Sequence, residues 1–417
     1  MEAKRIIVVG GGPAGMMAAI RAGQLQQDVI LLEKNPILGK KLILSGKGRC
    51  NLTNLCDLES FLERFSHNGQ FLRDAFKKFF NRDLMKFFED RGLELKIERQ
   101  LRVFPVTDQS NSILEVLKKG LQGIKILYKS SVKDIAVQDG RVKGVMLSGG
   151  EFLSADKVIL ATGGISYSFT GSTGEGLEIA RKLGHSVVKL RPGLVPLDTR
   201  QKYPERLEGL SLKNIRLKFA SLPVKRGQKQ IVTEIGELLF TASGISGPLV
   251  LTKSCQIVDW LIQDKHVYVE IDLKPALSRE QLDARLLREF GLNPKKSFKN
   301  TLKSLLPLRL IDCFIDIANI APDRKVSQVT KLEREKIVSL LKGLRLDIIK
   351  PRPIEEAMVT CGGVSLKDIN PRTMESRLMP GLYFAGEIID VDADTGGFNL
   401  QAAFSTGYLA GESAASN

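Results

Sequence analysis

The stretch "RIIVVGGGPAG", residues 5–15, determines the fold. Residues 6–9 of this stretch form the continuous β-branched run expected of a strand buried on both faces of a sheet. Gly10, Gly12 and Gly15 follow in the order G-x-G-x-x-G, and Pro13 suits the first turn of a helix, where its missing N–H costs little. In this motif the glycines permit a tight turn, a close approach to a pyrophosphate and close helix–strand packing. The stretch therefore predicts a strand, a turn and a helix whose N-terminus binds dinucleotide phosphates.

A second strand, "DVILLE" (residues 28–33), ends on Glu33, eighteen residues after Gly15. In dinucleotide-binding folds a carboxylate at this place accepts hydrogen bonds from the adenosine ribose. No arginine follows Glu33, which favours an unphosphorylated ribose, as in FAD or NAD. Lys34 could pair with a 2′-phosphate, so a phosphorylated ribose, as in NADP, is not excluded.

Two further glycine-rich segments indicate which dinucleotide binds. "VILATGG" (158–164) is typical of a strand that passes the dinucleotide a second time. The segment 381–411 resembles the C-terminal flavin-contact region of two-dinucleotide-binding-fold flavoproteins. The resemblance implies that Gly386 and Glu387 approach the ribityl chain and pyrophosphate, and that Gly396 and Gly397 let the backbone pass the flavin ring. A helix starting near Phe398 would then stabilise the reduced flavin through its positive N-terminus.

Three long motifs carry a wider resemblance: "GKKLILSGKGRCNLTN", "GELLFTASGISGP" and the segment from "AMVTCGG" to "GYLAG". Together they resemble one bacterial family of NAD(P)/FAD-dependent oxidoreductases, which includes aminoacetone oxidase-like proteins and bile-acid-pathway flavin reductases. The resemblance covers nearly the whole chain. It implies an α/β fold, with a Rossmann-like FAD-binding domain of the two-dinucleotide-binding-fold type and an inserted β-barrel plus helical domain.

The resemblance also implies that "LSGKGRCNLTN" (44–54) folds over FAD. Its glycines give backbone N–H groups room to face phosphate oxygens, and the nearby cations can balance their charge. The motif and the resemblance together predict the following cofactor-binding residues: Gly10, Gly12, Pro13, Ala14, Gly15, Glu33, Lys34, Lys40, Lys41, Ser45, Gly46, Gly48, Arg49, Cys50, Asn51, Val132, Ala161, Thr162, Gly163, Gly386, Glu387, Gly397, Phe398, Asn399 and Leu400.

Cys50 is a candidate for redox chemistry, because Lys47 and Arg49 would lower the pKa of its thiol. Its nearest cysteine, Cys56, is six residues away and forms no CxxC pair. We therefore favour a packing or flavin-contact role for Cys50. No histidine lies in the glycine-rich loops, so we expect FAD to be non-covalent.

The chain changes character near residue 191 and again near residue 350. We predict a discontinuous FAD-binding domain, 1–190 and 351–417, interrupted by an inserted domain, 191–350. Short β-rich runs predict a β part at 191–275, which the resemblance implies to be barrel-like, and amphipathic runs predict a helical part at 276–350. Within the first domain, residues 124–162 predict a small meander with a hairpin at "DG". We expect the insert to shape the substrate pocket.

Composition narrows the classes of function. The 417 residues carry a formal net charge of +15, and residues 191–350 hold 29 Lys and Arg against 18 Asp and Glu. Five scattered cysteines and three separated histidines predict no metal site. The N-terminus shows no signal-peptide pattern and the longest apolar stretch is too short to span a bilayer, so we expect a cytoplasmic protein without a membrane span.

These observations predict an FAD-dependent oxidoreductase that acts on a small molecule through hydride transfer at flavin N5, with NAD(P)H as a candidate donor. No second G-x-G-x-x-G follows a strand, so no separate NAD(P)H domain is visible. Tyr167, Tyr203 and His185 are acid–base candidates by residue type only. Two alternatives stay open, an RNA-associated flavoprotein that docks through the basic insert and a non-catalytic flavin sensor. The absence of a recognisable RNA-binding motif argues against the RNA-associated alternative. The sequence does not indicate the oligomeric state.

Overall fold

The computed structural model describes residues 3–222, 230–263 and 265–416. It divides into two compact units. Unit 1 comprises Met1–Gly193 and Pro353–Asn417, and unit 2 comprises Leu194–Arg352.

The first segment of unit 1 alternates strands and helices. In chain order these are β1 (Arg5–Val9), α1 (Pro13–Gln24), β2 (Asp28–Glu33), α2 (Lys40–Leu44), β3 (Thr53–Asn54), α3 (Leu58–Leu62), α4 (Arg73–Lys78), α5 (Asn81–Glu89), β4 (Leu95–Glu98), β5 (Arg102–Pro105), α6 (Ser110–Gly120), β6 (Lys125–Tyr128), β7 (Val132–Gln138), β8 (Arg141–Leu147), β9 (Phe152–Ser154), β10 (Lys157–Leu160), α7 (Glu175–Lys182) and β11 (Arg191–Gly193).

Unit 2 and the last segment of unit 1 complete the chain. Unit 2 contains β12 (Leu197–Thr199), α8 (Tyr203–Arg206), β13 (Ser211–Leu222), β14 (Ile231–Val232), β15 (Gly236–Thr241), β16 (Gly244–Ser246), α9 (Pro248–Ile262), β17 (His266–Asp272), α10 (Arg279–Leu292), α11 (Phe298–Leu302), α12 (Leu308–Ala318), α13 (Lys331–Lys342) and β18 (Leu344–Pro351). Unit 1 resumes with β19 (Val359–Cys361), β20 (Leu382–Phe384) and α14 (Phe398–Ser416).

The core of unit 1 is a five-stranded parallel sheet in the order β20-β10-β1-β2-β6. Its strands are continuous apolar runs because both faces are covered. Helix α14 packs along α1 at very short range. A Cβ added to Gly407 or Gly411 would lie 2.2 or 2.3 Å from the carbonyl oxygens of Ala14 and Ala18. The predicted α/β, Rossmann-like class is confirmed.

The meander predicted at 124–162 is divided between two sheets. Strands β7, β8 and β9 form an antiparallel three-stranded sheet, and a hairpin does join β7 to β8. However, β6 and β10 are strands of the parallel sheet, paired with β2 and β1. A short apolar run shows that a strand forms, but it does not show which strand will be its neighbour.

Unit 2 contains a closed antiparallel barrel. Six strands pair in the order β13-β15-β16-β12-β18-β17, and the pairing of β17 with β13 closes the ring. The predicted barrel is confirmed, but its extent differs from the expectation. Residues 344–350, predicted within the helical part, belong to the barrel strand β18 (Leu344–Pro351). Their alternating burial matches the period of two of a strand.

The helical part of unit 2 consists of α10, α11, α12 and α13. Their apolar residues share one hydrophobic core with the barrel strands. Three of these helices are capped at the N-terminus by Ser278, Ser297 and Thr330, whose side chains accept backbone N–H groups. Such caps fix where each helix begins.

Candidate active site

The candidate site lies at the carboxyl ends of the parallel strands in unit 1. The strand order reverses between β1 and β10, since β2 and β6 follow on one side and β20 on the other. In open α/β sheets, ligands bind in the crevice at such a switch point. The residues that follow β1, β2 and β10 are therefore placed around one crevice.

Helix α1 directs its N-terminus at this crevice. Gly12 is its N-cap and supplies no side-chain cap. Among the described residues no protein acceptor receives the N–H groups of Gly12, Ala14 and Gly15. A twelve-residue helix with free N–H groups and a partial positive charge at its start favours an anion there.

The glycines of the turn have different surroundings. A Cβ on Gly15 would lie 1.8 Å from Gly10 O, and one on Gly10 would lie 2.5 Å from Ala161 O. Gly10 also has a φ of +106°, which side-chain-bearing residues rarely adopt. By contrast, a Cβ on Gly12 would meet no atom within 4 Å. Gly10 and Gly15 are required by the protein's own packing, whereas Gly12 borders open space.

Glu33 ties the end of β2 to the glycine turn. It is 7% exposed, and its Oε2 accepts the N–H of Gly11 at 2.8 Å. Its Oε1 accepts the N–H and the side-chain amide of Asn35, both at 2.7 Å. A carboxylate offers about four acceptor positions, so one remains on Oε2 for a ribose hydroxyl. The sequence predicted the ribose role and missed this structural one.

We expect Glu33→Ala to weaken FAD binding by about 1.5–3 kcal/mol, the usual contribution of a hydrogen bond to a charged group. Because the same carboxylate orders the turn, thermal stability should fall as well. Titration of apoprotein with FAD and a melting curve of the FAD-free protein separate the two effects. Unchanged FAD affinity in a folded variant would remove Glu33 from the site.

A polar cluster joins two predicted residues, Lys41 and Glu387. Lys41 Nζ lies 2.6 Å from Glu387 Oε2 and donates to Ser166 Oγ at 2.8 Å. Glu387 Oε1 accepts the backbone N–H of Thr360 at 2.7 Å and the hydroxyl of Ser166 at 3.0 Å. Ser166 and Thr360 were not predicted, although Ser166 follows the "ATGG" motif by two residues.

The other predicted cations face protein acceptors. Lys34 donates to Thr173 Oγ1 at 2.6 Å and Glu175 Oε2 at 3.0 Å, and Lys40 donates to the carbonyl of Phe169 at 2.6 Å. Their contribution to phosphate binding is therefore smaller than the sequence suggests.

Arg49 lies between two carboxylates, Glu98 and Asp108. The guanidinium lowers the pKa of Glu98, and Lys96 together with Arg49 lowers the pKa of Asp108. Because both neighbours remain ionised, the positive charge of Arg49 is largely balanced within the protein.

The segment 44–54 turns sharply through left-handed backbone conformations. Gly46 and Lys47 both have a φ of +58°, and a Cβ on Gly48 would meet nothing within 4 Å. Ser45 is held by its hydroxyl, which donates to Leu42 O at 2.6 Å. The segment forms a compact turn with an open side at Gly48.

Cys50 is fully buried below this turn. Burial raises the pKa of its thiol to about 12, despite the nearby cations. The expectation of a lowered pKa is wrong, because desolvation of the buried thiolate outweighs the hydrogen bond with Ser45 that lowers the pKa. Cys50 is a packed thiol in this structure.

Two buried oxygens near the site have no partner in the described part of the chain. These are Asn51 Oδ1 and Thr162 Oγ1. Buried polar atoms are nearly always hydrogen-bonded, and leaving one unpaired costs about 1–3 kcal/mol. Both residues were predicted to contact the cofactor. A dinucleotide fits the features of this site. These are the open space at Gly12, the free N–H groups at the start of α1, the remaining acceptor position of Glu33 and the two unpaired oxygens.

Three more predicted residues follow β10 or precede β7. Ala161 packs against Gly10, and Gly163 has a φ of +75° and faces Ser172. Val132 is buried at the start of β7, two residues after Ser130, whose N–H donates to Glu33 O at 3.0 Å. The chain at Val132 therefore passes beside the end of β2.

The start of α14 is fixed by close backbone packing. A Cβ on Gly397 would lie 2.5 Å from the carbonyl carbon of Thr53, and one on Gly386 would lie 2.7 Å from Ala14 Cβ. The ring of Phe398 packs edge-on against Phe61, with centroids 4.7 Å apart.

Two neighbours of Phe398 have different surroundings. The side chain of Asn399 exchanges hydrogen bonds with the backbone of Ala393 at 3.0 and 2.9 Å, and Leu400 is half-buried. Asn399 therefore orders the loop before α14 in this structure.

The loop before α14 also carries two acidic residues that the sequence analysis missed. Asp392 is 8% exposed and accepts a hydrogen bond from Ser66, and Asp390 is half-buried and accepts from Asn68 at 3.1 Å. Burial is the main cause that raises the pKa of both carboxyls, while Arg191 and His67 oppose the rise. The alternating pattern "IIDVDAD" was the available signal, since acids between buried apolar residues mark perturbed carboxyls.

Two of the three acid–base candidates chosen by residue type, His185 and Tyr203, are in structural positions. Both ring nitrogens of His185 have partners, Ala180 O at 3.1 Å and Ser376 Oγ at 2.7 Å. The Tyr203 hydroxyl donates to a backbone carbonyl within unit 2 at 3.1 Å. Tyr167 is half-buried, which raises the pKa of its phenol.

The fold and the site define a flavin-dependent oxidoreductase built on a Rossmann-type sheet. The chain belongs to the family described as HI0933-like protein Rossmann domain, which matches residues 4–413. It is 32% identical over 416 residues to a 3-dehydro-bile acid delta(4,6)-reductase of Clostridium scindens, with 99% of each chain covered. It is 30% identical over 409 residues to a ribosomal RNA dihydrouridine synthase of Escherichia coli, with 98% of this chain and 97% of that one covered.

Solved structures show the same fold at low identity. A 3-ketosteroid delta1-dehydrogenase from Sterolibacterium denitrificans is 12% identical, with a TM-score of 0.54 and full coverage of both chains. An E. coli quinol fumarate reductase subunit is 17% identical, with a TM-score of 0.51, covering 99% of this chain and 70% of that one. At such identities the similarity concerns the fold alone.

Within residues 3–222, 230–263 and 265–416, no helix combines the length and the hydropathy needed to cross a bilayer.

Proposed function

We propose that this protein is an FAD-dependent reductase of a carbon–carbon double bond conjugated to a carbonyl group. One observation carries the proposal: two relatives matched over almost their full length are named for reductions of this kind. A 3-dehydro, Δ4 steroid is an enone, and uridine becomes dihydrouridine when the C5–C6 bond beside its C4 carbonyl is reduced. A hydride added to the β-carbon and a proton added to the α-carbon complete either reaction.

We propose that FAD binds non-covalently in the crevice of unit 1, between the glycine turn, Glu33 and the start of α14. When bound, it would supply the hydride from its N5 atom. The free N–H groups at the start of α1 would bind the pyrophosphate, and Glu33 would accept from the ribose. The N-terminus of α14, fixed by Gly397 and Phe398, would favour negative charge on the reduced ring.

The proton for the α-carbon needs a group that still carries a proton when the hydride is transferred. Asp390 and Asp392 support this role, because burial raises the pKa of both carboxyls. They lie on the loop between Glu387 and Gly397, two predicted cofactor contacts. We propose that this pair holds the transferable proton, and Ser66 and Asn68 orient it.

The reaction test uses protein whose flavin has been reduced photochemically without oxygen. An enone steroid mixed with it should restore the oxidised flavin spectrum and yield the saturated ketone. A saturated steroid ketone of the same size is the control. Reoxidation by oxygen alone, with no response to any conjugated carbonyl, would contradict the proposal and favour a flavin sensor. Separate mixing with NADH and NADPH identifies the donor, for which we propose NAD(P)H.

A second candidate function is reduction of uridine in RNA. It is supported by the E. coli and Haemophilus influenzae relatives, both named ribosomal RNA dihydrouridine synthase, the latter 31% identical over 408 residues. The charge of residues 191–350 supports it further, with 29 Lys and Arg against 18 Asp and Glu. The expectation that nucleic acid is an unlikely partner is therefore not retained. Replacing the steroid by a uridine-containing RNA in the same assay tests this candidate.

A further inference from the structure

One segment of unit 2 carries positive charge without any acidic residue. Between Glu289 and Asp312 the chain has five cations and no Asp or Glu: Lys295, Lys296, Lys299, Lys303 and Arg309. Acid-free runs also occur at residues 34–56 and 209–233, which hold five and six cations. Most isolated surface charges contribute only to solubility. Whether this segment binds an anion therefore depends on how its cations are arranged in space.

The fold adds a further lysine to this segment. Residues 294–299 run antiparallel to residues 322–327. Val326 N–H donates to Lys296 O at 3.0 Å and Phe298 N–H donates to Arg324 O at 2.8 Å. Ser297 and Lys325 are directly opposite in this pairing. Lys325 is therefore paired with Ser297, the residue after Lys296, although 28 positions separate the paired residues.

Four of these lysines are exposed and have no acidic partner among the described residues. Lys299 pairs with Asp312 at 2.7 Å, and Arg309 donates to the carbonyl of Glu208 at 2.8 Å. Within the described parts of the chain, no carboxylate lies within 4.0 Å of the remaining exposed ones, which we name the lysine patch: Lys295, Lys296, Lys303 and Lys325. Each keeps its charge available for an outside anion.

The segment that carries the lysine patch is anchored in the core of unit 2, and its exposed surface is polar. Phe298 and Leu302 are each 1% exposed and anchor the segment in the core of unit 2. Leu292 and Leu308 are exposed, but the apolar residues between them are buried. No continuous apolar face remains for insertion into lipid. The aromatic residues of the segment are buried too, so none can stack on a single-stranded base.

We infer that the lysine patch is a docking surface for double-helical RNA, which it holds through backbone phosphates. Charge without stacking or an apolar face fits a phosphate-dense helix read by its shape. The inference rests on the second candidate function, for which a large RNA must be held while one uridine reaches the flavin. Under this inference the RNA backbone binds to the helical part of unit 2, and the lysine patch does not distinguish between bases.

The test compares two full-length, FAD-loaded variants that lose the same charge. The patch variant carries Lys295→Ala, Lys296→Ala, Lys303→Ala and Lys325→Ala. The control carries Lys77→Ala, Lys119→Ala, Lys133→Ala and Lys143→Ala, all exposed residues of unit 1. Fluorescence anisotropy with a labelled RNA hairpin of about 16 base pairs measures the affinity at several salt concentrations.

We expect the patch variant to bind the hairpin about 30-fold more weakly at 0.1 M salt, with a log–log salt slope shallower by about 3 to 4. The control should stay within about twofold of the original protein. Equal losses in both variants would overturn the inference, as would an unchanged salt slope. Patch-dependent binding to anionic vesicles or to polyglutamate, with RNA binding unaffected, would also overturn it. The binding needs no electron transfer, so a failed double-bond assay leaves this result interpretable.

Discussion

Replacing Gly12 with aspartate should give a folded protein that does not retain FAD. A side chain fits at this position, because a Cβ there meets no protein atom within 4 Å and the backbone φ is −81°. The new carboxylate would lie beside the free N–H groups at the start of α1, where the pyrophosphate is expected to bind. Its negative charge would repel the pyrophosphate. We expect FAD affinity to fall by about 3 kcal/mol or more, roughly 150-fold. Flavin absorbance after gel filtration and titration of the apoprotein measure the loss.

The matched control is Gly149→Asp. Gly149 also borders open space, with no atom within 4 Å of an added Cβ, and lies in the turn after β8. This variant should bind FAD normally, since only the position of the added charge differs. A melting curve without FAD should show both variants folded. Full FAD retention by folded Gly12→Asp would contradict the phosphate site at α1.

Replacing Asp392 with asparagine should slow reduction of the double bond by about 10²–10⁴-fold, the usual contribution of a general acid. FAD should stay bound and its reduction by the electron donor should be unchanged, because that step does not use the substrate's proton. Single-turnover measurements of the two half-reactions separate these effects. Equal slowing of both halves would indicate a structural role for Asp392.

The pH dependence follows from the direction of the pKa shifts. Burial raises the pKa of Asp390 and Asp392, so the pair keeps its proton to higher pH than a free carboxyl. Double-bond reduction should be fastest at low pH and should fall as pH rises through the raised pKa of the pair. Because the two carboxyls are coupled, the titration belongs to the pair. Either Asp→Asn variant should flatten this profile.

The free energy of unfolding should also depend on pH, because the same two carboxyls titrate. A carboxyl whose pKa is raised by folding contributes stability below its unfolded pKa and loses that contribution as pH rises through the folded value. Asp390→Asn should therefore raise the melting temperature more at pH 8 than at pH 5. Asp139→Asn, in the exposed turn between β7 and β8, is the control and should leave rate and pH profile unchanged.

Patterns within one sequence segment were predicted well. The glycine turn between β1 and α1, the strand that ends on Glu33 and the helix that starts at Phe398 each depend on neighbouring residues. Strand pairing was harder to predict, as β6, β10 and β18 show. Each strand formed, but hydrogen bonds to distant strands assigned it to its sheet.

The sequence by itself determined the Rossmann-type class and a β-rich insert, because turn chemistry and apolar periodicity are local properties. The motifs that carry the family resemblance implied that the insert is a barrel. The tertiary structure alone decided the chemical state of individual groups. Cys50 gained a raised pKa from burial, Arg49 received two carboxylate partners, and Asp390 and Asp392 became buried acids. Burial and ion pairing join residues far apart in the chain, so no local pattern could show the charge that each group carries.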